Sequence, residues 1–179
     1  MKAEFGNLFS IKGKVALVTG GSRGIGEMIA AGFLANGAKV YISSRKQVTC
    51  DETAARLAKE YGGTCIALPA DLSNMAGVEK LAADFAQHEQ KLDILVNNAG
   101  AAWGAPIDTF PEAGWDKVMD TNVKAVFFLT QKMLPLLRKA AATSPARVVN
   151  IGSIDGLKTA AFNTPSYGPS KAADRKSVV

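Results

Sequence analysis

The chain has 179 residues, 47% of them apolar and 21% charged, with a formal net charge of +5, two cysteines and one histidine. That length suits one domain of about 100–200 residues with a sizeable core. No stretch approaches the ~20 continuous apolar residues of a membrane span, the start MKAEFGNLFSIKGK lacks a signal peptide's apolar run, and Cys50 and Cys65 neither form CxxC nor make a disulfide scaffold. A cytoplasmic, reducing location is expected. The scattered basic residues make no nucleic-acid surface, although a positive balance would help attract a phosphorylated cofactor or an acidic carrier protein.

Val15 to Val18 form a short apolar run with β-branched residues, which suits a strand buried on both faces. Thr19, Gly20, Gly21 and Ser22 then predict a tight turn, because glycine reaches backbone angles that other residues avoid. Gly24, Ile25 and Gly26 open a helix, continued at helical spacing by Met28, Ile29 and Phe33. Strand, glycine-rich turn and helix N-terminus together make a phosphate site, where free N–H groups and the positive helix end face the ligand. Gly20, Ser22, Arg23, Gly24, Ile25 and Gly26 are its candidate binding residues.

Asn36-Gly37 stops this helix before a second strand, Lys39 to Ser43. A second helix runs roughly from Thr49 to Tyr61, with Ala54, Leu57, Ala58 and Tyr61 on one face, and ends at Gly62-Gly63. Thr64 to Leu68 reads as the third strand, followed by Ala70, Asp71 and Leu72. Ser73 or Asn74 can cap a third helix carrying Val78, Leu81, Ala82 and Phe85. A fourth strand, Asp93 to Val96, leads into Asn97-Asn98-Ala99-Gly100. A long helix is expected from Glu112 to Lys139, kinked at Pro135, and a fifth strand from Arg147 to Ile151. This alternation predicts an α/β fold with right-handed crossovers: a doubly wound, Rossmann-type parallel sheet with helices on both faces.

Four polar residues stand out. Tyr167 and Lys171 are four apart in YGPSK, so a helix beginning there sets both on one face. A free tyrosine, with a pKa near ~10, is a poor acid–base at neutral pH, and a nearby ammonium favours the phenolate. Ser153 lies just beyond the fifth strand, where strand ends border the ligand crevice of a doubly wound sheet. Its hydroxyl can donate to a carbonyl oxygen as hydride arrives. Asn122 interrupts an apolar stripe of Met119, Val123 and Val126. A Ser-His hydrolase is unsupported, because GSIDG is not G-x-S-x-G and His88 ends a predicted helix as a solvated residue. No His, Cys or carboxylate cluster has metal-ligand spacing.

Thr19, Gly20, Gly24 and Gly26 read TGxxxGxG, and Asn97 to Gly100 read NNAG. With Asn122, Ser153, Tyr167 and Lys171 in chain order, the sequence resembles the short-chain dehydrogenase/reductase family. NVKAVFFLTQ and SYGPSKAA are similar to bacterial 3-oxoacyl-carrier-protein reductases. The resemblance implies that Tyr167 gives or takes the proton and that Lys171 favours its phenolate and holds the nicotinamide ribose. It implies that Ser153 polarises the substrate carbonyl and Asn122 anchors a water in a proton relay. Asp71 matches the acid that contacts adenine, with Leu72 beside it, and Asn98, Ala99 and Gly100 line the cofactor site. A cofactor without a 2′-phosphate is usually held by an acid at the end of the second strand. Ser43-Ser44-Arg45-Lys46 has none, and Arg45 with Arg23 can pair with a phosphate, which predicts NADP(H) over NAD(H).

The expected reaction is hydride transfer to a ketone, small or carrier-bound. An alcohol or sugar-alcohol dehydrogenase and a non-catalytic nucleotide-binding protein are the alternatives. Family members commonly pair through their long fourth and fifth helices, so a dimer or tetramer is expected. The resemblance covers Ile11 to Ala173, whereas family members usually continue with two more strands, an intervening helix and a substrate loop. Residues 1–173 are therefore read as one incomplete nucleotide-binding domain. Residues 174–179, DRKSVV, match one reading frame of a common sequencing adapter and are read as a non-native tail; a genuine short variant is the alternative. A chain ending there is expected to be inactive.

Overall fold

The structure is a computed structural model that describes residues 9–158 and 162–175. Five strands form one parallel sheet: β1 (Val15–Thr19), β2 (Lys39–Ser43), β3 (Cys65–Ala67), β4 (Ile94–Asn97) and β5 (Arg147–Asn150). Their order is β3-β2-β1-β4-β5, the order of a doubly wound fold. The helices between them are α1 (Gly24–Ala35), α2 (Gln47–Tyr61), α3 (Met75–His88), α4 (Glu112–Met119), α5 (Ala125–Ala141) and α6 (Tyr167–Asp174).

The pleat sorts the strand residues between two cores. Ala16, Val18, Val40, Ile42, Ile94 and Val96 pack against Ala30 and Leu34 of α1 and Cys50, Ala54 and Leu57 of α2. Val15, Leu17, Tyr41 and Leu95 face the other way, onto Val78, Leu81 and Phe85 of α3 and Leu129, Met133 and Leu137 of α5. β1 is buried throughout, which is why it reads as a continuous apolar run rather than an alternating one. The chain runs outward from β1 in both directions. The C-terminal ends of β1 and β4 therefore border a crevice at the switch point.

The structure corrects several sequence-based expectations. In α1 the buried residues are Gly26, Ala30 and Leu34, while Ile25 and Met28 of the expected apolar stripe are 57% and 65% exposed. At its N-terminal end the helix lies against the glycine turn, where a Cβ at Gly26 would come within 2.3 Å of the Gly20 carbonyl oxygen, so glycine faces inward there. In α2, Cys50 and Thr53 join Ala54 and Leu57 in the interior, and Tyr61 is 39% exposed. Asn74, rather than Ser73, caps α3, its Oδ1 accepting from the Gly77 N–H at 2.9 Å. The long helix is interrupted not at Pro135, which lies inside α5, but by a π-helical turn at Asp120–Lys124. Pro135 is tolerated because the carbonyl it cannot satisfy belongs to exposed Gln131 and can reach water. At the edge strand β5, Val148 and Val149 are 36% and 42% exposed. Asp174 ends α6 and is buried, and of the segment read as a tail residues 176–179 lie outside the described residues; neither bears on whether that segment is native. No helix among the described residues is long and apolar enough to cross a membrane.

At the opposite end of the sheet Asp93 is 2% exposed. Its carboxylate accepts from the Val15 N–H at 3.0 Å and from Lys14 Nζ at 3.2 Å, with Lys91 Nζ at 3.3 Å. Burial pushes its pKa up, but the Val15 N–H, the Lys14 hydrogen bond and the two ammonium charges outweigh it and hold the carboxyl below the ordinary carboxylate range. The folded state thus binds this proton less readily than the unfolded chain. The resulting stability is present above the ordinary value of about 4 and is lost as pH falls through the depressed one. Asp93→Asn should therefore lower Tm at neutral pH and leave a shallower fall of Tm in acid. An unchanged acid slope would count against this ion cluster.

Candidate active site

Thr19 ties the ends of β1 and β4 together. Its Oγ1 accepts from the N–H groups of Asn98 and Ala99, both at 3.0 Å, and donates to the Val96 carbonyl at 3.3 Å. The Asn98 amide donates to the carbonyls of Thr19 at 2.9 Å and Gly20 at 3.3 Å. Gly20 and Gly24 take positive φ values of 65° and 57°, where side chains are strained. No side chain caps α1, and the backbone at Arg23 is extended. The N–H groups of the first turn are left for solvent or a ligand, and the helix dipole makes an anion the favoured one. Thr53 of α2 steadies the turn by donating to the Ser22 carbonyl at 3.2 Å.

A cleft of about 690 Å³ opens above this turn. Gly20, Ser22, Arg23 and Ile25 line it from the turn, Arg45 and Lys46 from beyond β2, Asp71 and Leu72 from beyond β3, and Asn98, Ala99 and Gly100 from beyond β4. Gly24 and Gly26 are not in its wall. Gly24 sets the turn, and Gly26 packs beneath it against the Gly20 carbonyl and the Asn98 amide. Three cations and one carboxylate reach the cleft from these segments, and that carboxylate, Asp71, accepts the Ser73 N–H at 3.0 Å. Ser43 also lines it, buried, with a hydroxyl that has no hydrogen-bond partner among the described residues. Such an orphan is costly unless something fills the cleft. A phosphate-bearing, extended ligand fits the uncapped turn, the cationic rim and the free hydroxyl.

The candidate reacting groups come from the loop after β5, from α6 and from the π-helical turn. Ser153 Oγ accepts from the Asp155 N–H at 3.2 Å, which leaves the hydroxyl proton available for a substrate oxygen. Tyr167 begins α6 and is half-buried. Lys171 follows one turn later, 6% exposed, its Nζ donating to the Ile151 carbonyl at 2.7 Å and 3.9 Å from Asp174 Oδ2. Burial pushes the Lys171 pKa below the ordinary lysine value, against the pull of Asp174. Asn122 is fully buried; its Oδ1 accepts from the Ala101 N–H at 2.8 Å, and its Nδ2 donates to the Ala101 carbonyl and to Ser170 Oγ, both at 2.9 Å. Both amide hydrogens are thus held by the protein.

Asn97, the first residue of NNAG, supports the sheet by donating to Thr130 Oγ1 at 3.1 Å and Asn150 Oδ1 at 2.9 Å. Sequence reasoning missed Ser170 and Ser43. Ser170 sits inside the YGPSK motif, but a small polar residue in a helix carries no pattern of its own.

Residues 14–176 match the family described as short chain dehydrogenase. The rhamnolipids biosynthesis 3-oxoacyl-[acyl-carrier-protein] reductase of Pseudomonas aeruginosa is 52% identical over 166 residues, covering 92% of this chain and 64% of that one. The solved Pseudomonas aeruginosa RhlG/NADP active-site complex superposes with a TM-score of 0.87 at 52% identity, over 92% of this chain and 64% of the other. L-sorbose reductase from Gluconobacter frateurii, solved with NADPH and L-sorbose, gives a TM-score of 0.85 at 28% identity, over 92% of this chain and 61% of its own. The chain thus spans less of these relatives than they span of it. With the glycine turn, the NNAG loop and the Tyr167–Lys171 helix all in their places along a matching sequence, the chain belongs to the short-chain dehydrogenase family.

Proposed function

We propose that the protein is an NADPH-dependent carbonyl reductase acting on 3-oxoacyl-type ketones. The observation that carries this reading is the cleft itself. Its cationic rim, with Arg23 and Arg45, meets an uncapped helix N-terminus, and its loop wall is bonded through Asn122 to the helix bearing Tyr167 and Lys171. The Pseudomonas aeruginosa relatives, one described as a 3-oxoacyl reductase and one solved with NADP, support the reaction class and the cofactor.

When bound, NADPH supplies the hydride. Arg23 and Arg45 would hold its 2′-phosphate, the N–H groups of the glycine turn its pyrophosphate, and Asp71 and Leu72 its adenine. Ala99 and Gly100 would wall the cleft, and Lys171 would hold the nicotinamide ribose. Ser153 donates its hydroxyl proton as a hydrogen bond to the substrate carbonyl and strengthens it as negative charge grows on the oxygen. Tyr167 transfers its phenolic proton to that oxygen, completing a secondary alcohol. Asn122, whose amide hydrogens are held by Ala101 and Ser170, would hold the loop wall against α6, and by resemblance to the family it would anchor a relay water. The same reading extends to a cytoplasmic homo-oligomer pairing through α4 and α5, where Trp115 and Phe127 are 43% and 46% exposed.

The test is NADPH and NADH oxidation with a panel of 3-oxoacyl and simple ketone substrates, in the wild type and in Arg45→Asp. A charge-assisted bond to the 2′-phosphate should favour NADPH by about ten- to hundredfold in kcat/KM. Arg45→Asp should erode or reverse that ratio. Equal efficiency with both cofactors in the wild type would reject the assignment of Arg23 and Arg45.

A further inference from the structure

We propose that Ser170 is a positioning residue whose hydroxyl locks the Tyr167–Lys171 turn to the loop wall of the cofactor cleft, so that both grip the nicotinamide half of the cofactor as one unit. The proposal rests on the cofactor reading above. Ser170 is fully buried. Its Oγ donates to the Tyr167 carbonyl at 2.7 Å and accepts from Asn122 Nδ2 at 2.9 Å. The other bonds of the Asn122 amide go to the N–H and carbonyl of Ala101, which lines the cleft just after Gly100. An unbroken polar path therefore runs from the cleft wall through Asn122 and Ser170 to the backbone of Tyr167. Four hydrogen bonds, that between Asn122 and Ser170 buried and the others partly so, connect three segments distant in sequence.

A serine that bonds back to its own helix gains little there, because the carbonyl already has a helical donor and such bonds tend to bend helices. What the hydroxyl supplies is the acceptor for a buried amide hydrogen of Asn122, which would otherwise be unsatisfied. Alanine at 170 would remove that acceptor and free the first turn of α6 from the π-helical turn. Tyr167 and Lys171 would then shift relative to Ala99, Gly100 and Ala101. The adenosine end of the cleft, at Arg23, Arg45 and Asp71, is built from other segments and would be untouched.

That asymmetry separates positioning from a merely structural role. The experiment is to measure Kd for NADPH by fluorescence and for adenosine 2′,5′-bisphosphate by calorimetry, in the wild-type chain and in Ser170→Ala. NADPH affinity should fall about five- to tenfold, the effect of one broken buried hydrogen bond. The bisphosphate, which has no nicotinamide half, should bind within about twofold of wild type. Equal weakening of both ligands, or no weakening of either, would overturn the proposal. Should the alanine variant fail to fold, the same comparison is read on Ser170→Cys, which nearly keeps the volume while weakening both bonds. If the wild type binds neither ligand, the cofactor reading falls and this proposal with it. If the wild type binds both and the variant is unchanged, only the role of Ser170 falls.

Discussion

Tyr167→Phe should abolish ketone reduction by the gene product that carries this sequence while leaving NADPH affinity largely intact. In the proposed mechanism the phenol gives the proton to the substrate oxygen. Ser153 Oγ accepts from the Asp155 N–H, and among the described residues no basic side chain is bonded to it. Lys171 is bonded to the Ile151 carbonyl and sits one helical turn away. In the proposed reading the cofactor is held mainly elsewhere, at the glycine turn and the cationic rim, so the ring can lose its hydroxyl without loss of the cleft. A steady-state assay beside an NADPH titration gives both numbers. If the variant kept more than about a tenth of the wild-type rate, a loss below ~1.4 kcal/mol, the acid–base role of Tyr167 would be wrong.

Much of the architecture was legible because it rests on strong local signals. A parallel sheet covered on both faces demands apolar runs such as Val15 to Val18, and the alternation of such runs with helical spacing implies parallel strands and right-handed crossovers. The glycine turn was legible for a different reason. Positive φ at Gly20 and Gly24 leaves few residue types able to serve there.

The errors share one cause, which is that packing distance does not show in a spacing pattern. Ile25 and Met28 have the period of a buried stripe, yet the inward face of α1 carries Gly26, Ala30 and Leu34, with Gly26 set against the Gly20 carbonyl. The interruption of the long helix follows the same logic. Proline is a visible breaker, but the π-helical turn at Asp120–Lys124 carries no such mark. It coincides with Asn122, whose amide is held by Ala101 and Ser170. Asn122 was found by its polarity within an apolar stripe, and its partners were not, since Ala101 takes part through its backbone alone. Ser43 escaped notice because an unpartnered hydroxyl is defined by what surrounds it, not by the residue.

Gly26→Ala should cost both stability and nucleotide binding, and Gly32→Ala on the same helix should cost neither. A Cβ at Gly26 would lie 2.3 Å from the Gly20 carbonyl oxygen, 2.5 Å from Asn98 Nδ2 and 2.8 Å from the Gly20 carbonyl carbon. None of these can yield cheaply. Two belong to the backbone of the turn, and the third is the amide that bonds the Thr19 and Gly20 carbonyls. The added methyl must lever α1 away from the turn, opening the curve of N–H groups that suits a pyrophosphate. Overpacking of this kind costs roughly 1–3 kcal/mol, or a Tm lower by about 2–12 °C for a chain of this size. A Cβ at Gly32 meets nothing within 4 Å. Alanine there replaces a flexible helical glycine and should leave Tm unchanged or raised by the equivalent of about 0.5–1 kcal/mol. Thermal melts and NADPH titrations of the two variants provide the comparison. A Gly26→Ala protein that melts with the wild type and binds NADPH as tightly would mean that the turn is not packed as closely as its glycines imply.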